Sequence, residues 1–279
     1  MPELPEVETV CRSLRGPLTG RTVTGVTINW ERTVDPHDSG EFSKKLASKR
    51  IECVFRRAKL IVFRLSDASV MTTHLRMTGK LLYVENGSSS ANEPASHLRL
   101  AIQLENGGRL DFYDARKFGR IRMYSAPEWE SLSASFGPEP LDPEFTAQRF
   151  YERLQVTRRQ IKPLLLDQTF IAGVGNIYAD EALFRARIHP LTISSSVSRR
   201  KSSDLHRAIV ETLTIALGNQ GTTLRDYRSG LGEEGSNQSS LLVYGAKPGT
   251  PCPRCGTTLK RLVIGQRGST ICPRCQRLR

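Results

Sequence analysis

Gly137-Pro138-Glu139-Pro140-Leu141-Asp142-Pro143 divides the chain into two regions with different hydrophobic periods. Each proline removes a backbone donor and holds φ near −65°, so neither a helix nor a central strand runs through this stretch. Upstream, short β-branched and aromatic runs dominate. Lys59 to Leu65, Val70 to Tyr83, Leu98 to Leu104, Arg109 to Tyr113 and Arg120 to Tyr124 read as strands. Asn106-Gly107-Gly108 is a hairpin turn, because glycine adopts the positive φ that tight turns need. Before the strands, Val7, Val10, Cys11 and Leu14 mark one face of a helix from Pro5 to Gly16, with proline near its start and glycine at its end. The upstream region is therefore expected to be a β-sandwich or barrel with a helix at each end, and the serine-rich stretch 86–94 a surface loop.

Downstream of Pro143 the period becomes helical. Phe145 to Leu154, Ile161 to Asp167, Asn176 to Arg187 and Lys201 to Leu217 are predicted helices, and Gly218 to Ser240 reads as a mobile Gly- and Ser-rich loop. The class is α+β multidomain. The expected parts are an N-terminal domain over 1–136, a linker over 137–143, a helical domain over 144–243 and a cysteine-rich tail over 244–279.

That tail holds Cys252-Pro-Arg-Cys255 and Cys272-Pro-Arg-Cys275, sixteen residues apart. The spacing is that of a four-cysteine zinc site. Four thiolates close a tetrahedron and leave no open position, so one structural, non-catalytic Zn2+ is expected. Between the pairs, Thr257 to Ile264 and Ser269 to Cys272 read as two strands joined at Gly265-Gln266-Arg267-Gly268, with Arg267 at the tip. From Gly235 onward there is no Asp or Glu, while Lys247, Arg254, Lys260, Arg261, Arg267, Arg274, Arg277 and Arg279 are all basic. A surface of one sign suits phosphate contacts.

The whole chain points the same way. Its 279 residues carry 41 Lys and Arg against 28 Asp and Glu, a formal net charge of +13, which attracts a polyanion. No run approaches the ~20 apolar residues of a membrane span. The opening MPELPEVETV, with three acids and no base, is unlike a secretory signal. A cytoplasmic protein with reduced thiols, and with nucleic acid as the polyanion, is expected.

The opening Met1-Pro2-Glu3-Leu4-Pro5-Glu6-Val7-Glu8 resembles that of the bifunctional formamidopyrimidine-DNA glycosylases. So do Arg57-Ala58-Lys59, His74-Leu75-Arg76-Met77-Thr78-Gly79, Asp114-Ala115-Arg116-Lys117-Phe118-Gly119 and Gly137-Pro-Glu-Pro140. Gly173-Val174-Gly175-Asn176-Ile177-Tyr178, Val243-Tyr244-Gly245 and the four-cysteine tail with Gln266-Arg267 extend the likeness over nearly the whole chain. The resemblance implies a monomeric enzyme acting on double-stranded DNA that contains a damaged base or an abasic site. It also implies a helix–two-turns–helix domain and a zinc ribbon.

It further implies roles. Removal of Met1 before the small Pro2 would free a secondary amine. An α-amino group has a reference pKa near ~8 against ~10.4 for Lys, so far more of it is unprotonated at neutral pH. Pro2 is the implied nucleophile, Glu3 the acid/base group that opens the sugar, and Glu6 its support. Glu8 reads as an acid serving the helix dipole. Lys59 is implied as proton donor in β-elimination, and Arg267 in δ-elimination. Met77, Arg116 and Phe118 correspond to the side chains that fill the gap left by a flipped nucleotide, whose extrusion costs a few kcal/mol. Asn176 opens a helix at a phosphate-binding turn. His74, His97, Arg158, Lys162 and Tyr244 are implied DNA contacts.

Three positions depart from the family pattern. Arg76 stands where glycine is usual, Lys117 where arginine is, and 232–238 lacks the aromatic pair often found in that loop. Competing readings are an endonuclease VIII-like enzyme for oxidised pyrimidines, which Leu4 disfavours, and a non-catalytic lesion-binding protein. An N-terminal-proline tautomerase leaves the ribbon and the charge without a role.

Overall fold

The structure, a computed structural model, describes residues 1–88, 93–247 and 249–278. Part of the expected 86–94 loop, and Arg279 of the basic tail, lie outside the described residues. The chain separates into two compact units. One comprises Met1–Ser135 with Asn219–Gln238, and the other Phe136–Gly218 with the residues from Ser239 onward.

The first unit runs α1 (Leu4–Leu18), β1 (Val23–Ile28), α2 (Ser39–Leu46), β2 (Ile51–Arg57), β3 (Leu60–Leu65), β4 (Val70–His74), β5 (Gly79–Val84), β6 (Leu98–Leu104), β7 (Arg109–Asp114), β8 (Arg120–Tyr124) and α3 (Ala126–Ser135). Its strands form two separate antiparallel sheets, β1-β6-β7-β5 and β2-β3-β4-β8, which settles the sandwich over the barrel. One apolar core joins them. Leu100, Ile102, Leu110 and Phe112 from the first sheet meet Val54, Ile61, Phe63 and Ile121 from the second, with Val7, Val10, Cys11 and Leu14 of α1. The predicted helical face is thus the face that is buried.

Two local readings are corrected. The run Val70 to Tyr83 is two strands in different sheets, because the chain crosses between layers at 75–78. There Arg76 takes φ 54, and a Cβ on Gly79 would stand 2.4 Å from the Leu75 carbonyl oxygen. Only glycine lets β5 begin that close to the crossing. Helix α2 was not foreseen, although Asp38 accepts from the Glu41 N–H at 2.7 Å, an ordinary N-cap.

The second unit contains α4 (Ala147–Gln155), α5 (Ile161–Leu166), α6 (Asn176–Ala186) and α7 (Arg199–Gly218), followed by the hairpin β9 (Lys260–Ile264) and β10 (Arg267–Ile271). All four predicted helices are present. The proline-rich stretch docks within this unit, where Gly137 N–H donates to Gln168 and Ala172 N–H to the Pro138 carbonyl. The hairpin turn is Gly265-Gln266, with φ 53 and 62, the pair of positive values that a tight two-residue turn uses. Arg267 therefore sits not at the tip but as the first residue of β10, opposite Ile264. Among the described residues, no helix is long and apolar enough to cross a membrane.

Residues 219–238, read from sequence as a mobile part of the helical region, group with the first unit. They form a hydrogen-bonded loop. Ser236 N–H donates to Asn219 O, Asn237 N–H to Gly221 O, and the Tyr227 hydroxyl to Gln220 O. Gly230 ties the loop to α1 through Ser13 Oγ and to β5 through the Tyr83 N–H. Gly235 passes so near Gly221 that a Cβ would lie 2.1 Å from its carbonyl oxygen. The small residues that suggest mobility here permit close backbone approach.

Candidate functional site

At the start of α1, Pro2 is enclosed, and Glu3 and Glu6 are 2% and 1% exposed. Glu3 is the N-cap residue, with extended backbone. Its N–H donates to Glu6 Oε2 at 2.8 Å, while Glu6 Oε1 accepts the Thr222 N–H at 2.8 Å. One buried carboxylate thus joins the N-terminus to the 219–238 loop through two charge-assisted bonds. Gly221, at φ 85, allows the approach, since a Cβ there would already meet Glu6 Cγ at 3.0 Å.

Lys59 occupies the two-residue turn between β2 and β3, where Ala58 takes φ 52. It is only 6% exposed, unlike an ordinary turn lysine. Arg56 holds this turn, donating to the Ala58 carbonyl at 3.1 Å and pairing with Glu8 at 3.3 Å. Glu8 also meets Arg12 and Arg15, so it is a hub of ion pairs rather than a simple dipole acid.

His74, at the end of β4, accepts the Arg76 N–H on Nδ1 at 3.0 Å. The ring is therefore the neutral tautomer with its proton on Nε2. Burial, and then the nearby charges of Arg76 and Lys59, push its pKa down to about 3. Because the folded value lies below the unfolded one near 6.5, the stability of the neutral ring is complete above pH 6.5 and is lost as pH falls toward 3. An imidazole 15N spectrum is expected to show no titration of His74 between pH 8 and 5, with Nδ1 unprotonated throughout.

Two loops carry Met77, Arg116 and Phe118, and one buried acid ties them together. Asp114 accepts from the Thr78 hydroxyl, from Arg116 N–H at 3.1 Å and from Gly119 N–H at 2.7 Å. The Arg116 guanidinium lies 4.7 Å from the centre of the Phe118 ring and donates to Met77 Sδ at 3.1 Å. Met77 and Phe118 remain 44% and 47% exposed, an arrangement suited to stacking rather than core packing. Lys117, at φ 61, reaches the Trp30 face at 4.0 Å and fixes the same loop. His97 closes a short 3-10 turn and is half-buried.

In the second unit, Asn176 opens α6 and donates to the Gly268 carbonyl at 3.2 Å, one residue from the exposed Arg267. Arg158 is exposed, and Tyr244 is half-buried. Lys162, expected as a DNA contact, is instead wholly buried. Its ammonium donates to Asp180 Oδ1 at 2.7 Å, to Gly268 O at 3.1 Å and to Ser269 Oγ. The site is too enclosed for a phosphate, and the lysine holds the hairpin to α5 and α6. Burial raises Asp180 to about 6 despite this partner. Lys162→Met strands the acid and is expected to cost about 3–5 kcal/mol in urea unfolding. Adding Asp180→Leu should return much of that loss.

Glu181 anchors the segment leading into the ribbon, accepting the N–H groups of Leu242, Val243 and Tyr244 at 2.8–2.9 Å. Sequence reasoning missed Asp180 and Glu181, which look like ordinary helical acids. Asp114 was quoted in a motif without a role, although an Asp at a strand end followed by Gly119 is a recognisable turn signal.

The four cysteine Sγ atoms lie within 4.8 Å of one another, with Cys255 and Cys272 at 3.5 Å and Cys252 and Cys275 at 4.0 Å. Tetrahedral zinc at about 2.3 Å from each sulfur needs sulfur separations near ~3.8 Å, so the set fits. Burial and the neighbouring thiols push Cys275 up to about 12, while hydrogen bonds from Thr257 bring Cys255 down to about 6. Four thiolates at once require a cation, and the group is one structural zinc site.

A strand sandwich, a helix–two-turns–helix unit and a four-cysteine ribbon define the class of helix–two-turns–helix proteins with a C-terminal zinc ribbon. Residues 1–121 match the formamidopyrimidine-DNA glycosylase N-terminal domain, 136–228 its H2TH domain, and 249–278 the zinc finger found in FPG and IleRS. The chain belongs to the formamidopyrimidine-DNA glycosylase family.

It is 47% identical over 265 residues to the formamidopyrimidine-DNA glycosylase of Chloroflexus aurantiacus, covering 95% of this chain and 93% of that one. The Bacillus licheniformis protein of the same name is 40% identical over 95% of each chain. Among solved structures, Lactococcus lactis Fpg bound to DNA containing an abasic site superposes with a TM-score of 0.89 at 35% identity, covering 99% of this chain and 100% of that one. MutM in complex with DNA containing carbocyclic 8-oxo-G gives the same score, identity and coverage.

Proposed function

We propose that this chain is a bifunctional DNA repair enzyme that excises oxidised purines, formamidopyrimidine and 8-oxoguanine, and then cleaves the abasic strand by β,δ-elimination. The observation that carries the reading is the enclosed Pro2-Glu3 pair at the start of α1, held through Glu6. While Met1 is attached, the Pro2 nitrogen is an amide; once Met1 is removed, it is a secondary amine. That amine attacks C1′ of the deoxyribose, the bond from C1′ to the base breaks, and the base leaves with the proton that the nitrogen gives up. Glu3 gives a proton to the ring oxygen, the sugar opens, and an iminium links Pro2 to C1′. The iminium acidifies C2′. Loss of a C2′ proton expels the 3′ phosphate, and a second elimination expels the 5′ phosphate. Lys59 serves the first elimination and Arg267 the second.

Met77, Arg116 and Phe118 enter the duplex where the damaged nucleotide has left, and Asp114 keeps the three together. His74, as a neutral Nε2–H donor, Asn176, Arg158, His97 and Tyr244 contact the DNA backbone. Lys162 is left out of that set. The zinc bound by Cys252, Cys255, Cys272 and Cys275 keeps the Arg267 hairpin in shape. The enzyme acts as a monomer, in the cytoplasm and on nucleoid DNA.

Single-turnover excision from duplexes carrying 8-oxoguanine, formamidopyrimidine or thymine glycol tests the assignment. Both purine lesions are expected to be released at least about tenfold faster than thymine glycol. The reverse order would assign oxidised pyrimidines. Tight lesion binding without release of any base would leave a damage-binding protein.

A further inference from the structure

A cavity of about 640 Å³ opens in the second unit where the turn after α6, the start of α7 and the second cysteine knuckle meet. Among the described residues no Asp or Glu lines it, and four cations do: Arg187, Lys201, Arg274 and Arg277. Lys201 is engaged, donating to the Ala186 carbonyl at the C-terminal end of α6 at 2.9 Å. Among the described residues, Arg187, Arg274 and Arg277 have no ion pair or side-chain hydrogen bond, and all three are exposed. Three unpaired guanidinium groups around one concavity repel one another, an arrangement that an anion relieves.

The remaining walls narrow the choice of anion. Ile188 and Val197 are buried and line the same cavity, so it has an apolar surface beside its cationic one. Its volume falls in the range of small-molecule sites, about 300–1,000 Å³. Guanidinium groups match phosphate oxygens in bidentate fashion. We infer that this cavity binds a free nucleoside di- or triphosphate, its phosphates on the three arginines and its base against Ile188 and Val197. None of these residues has a part in the excision chemistry above.

Titration calorimetry of the zinc-loaded full chain with ADP, and separately with pyrophosphate, tests the inference at physiological ionic strength. ADP is expected to bind at one site, more tightly than pyrophosphate because of the apolar wall. Arg187→Asn combined with Arg277→Gln should weaken ADP at least about tenfold, since each lost charged hydrogen bond is substantial. Asn suits the positive φ of position 187. Arg274→Gln, made separately, should weaken it in the same direction. Arg21→Gln with Lys44→Gln removes equal charge from the first unit and should change ADP binding less than about twofold. ADP should still bind after the protein is saturated with a duplex carrying an abasic-site analogue. No binding, equal losses in the two double variants, or displacement of ADP by the duplex would each overturn the proposal.

Discussion

Protein that retains Met1, or that carries any residue ahead of Pro2, is expected to bind abasic DNA but to form no borohydride-trapped adduct. An amide nitrogen has its lone pair delocalised into the carbonyl and cannot attack C1′. The iminium that borohydride reduces therefore never forms. Excision and strand cleavage should both fall by at least about 10³-fold, the scale seen when a covalent nucleophile is removed. Affinity for an abasic-analogue duplex should change little, because Met77, Arg116 and Phe118 stand on loops held by Asp114 rather than by the N-terminus. Intact mass must accompany the assay, so that the fraction lacking Met1 is known. Trapping by a preparation shown to be wholly Met1-capped would end the Pro2 mechanism. Glu3 adds a second handle, since Glu3→Gln leaves the amine in place but removes the proton for ring opening. Excision should then fall further than cleavage of a preformed abasic site.

Removing zinc should have the other large effect. The packing around the ribbon is slight: Phe184, Val243 and Leu259 with the buried Cys252 and Cys272 make its apolar cluster. A segment of that size does not bury enough surface to fold without a cross-link or metal. Structural zinc contributes about 10–16 kcal/mol in isolated zinc-finger peptides, far more than the hairpin can replace. Chelation, or Cys272→Ser, is expected to abolish the β9–β10 pairing and its hydrogen-exchange protection. Arg267 would then lose its fixed position. Lys162 and Asn176 would be left without their shared partner at Gly268. DNA affinity should drop by at least tenfold and its salt dependence should become shallower, as phosphate contacts are lost. The sandwich unit should keep its near-ultraviolet signal. If strands 260–271 stay protected with all metal removed, the zinc is dispensable to the fold.

The two units differ in how much of their organisation can be read along the chain. Strands β6 and β8 and the helices α4 to α7 are legible because each follows one period and is bounded by turn residues. Val70 to Tyr83 misleads because the apolar pattern continues while the chain changes sheets, and periodicity does not record which sheet a strand joins. The loop 219–238 misleads for a related reason. Gly221 and Gly235 have the composition of a linker, but their lack of Cβ allows two backbones to touch.

Among the candidate site residues, only the four cysteines stood out by type and spacing; Pro2, Met77 and Phe118 were singled out by the family resemblance. Lys162 was placed wrongly because a lysine in a basic chain gives no hint of its burial. Its buried partner Asp180 is 18 residues away, and Ser269 is 107 residues away. In the sequence, Arg76 and Lys117 are seen only as departures from the family pattern. In three dimensions both hold left-handed backbone, one feeding a bond to His74 and the other lying over Trp30.

From its residue order alone, this chain determined the succession of a strand region and a helical region and the ligands of one zinc. These depend on local period, spacing and side-chain type, all of which are properties of neighbours in sequence. Only the tertiary structure decided that Glu6 binds Thr222, that Asp114 unites the loops bearing Met77 and Phe118, and that Lys162 holds the hairpin. The bonds from Thr222 to Glu6, from Thr78 to Asp114 and from Lys162 to Ser269 span 216, 36 and 107 residues, and their strength comes from burial, which no stretch of sequence displays by itself.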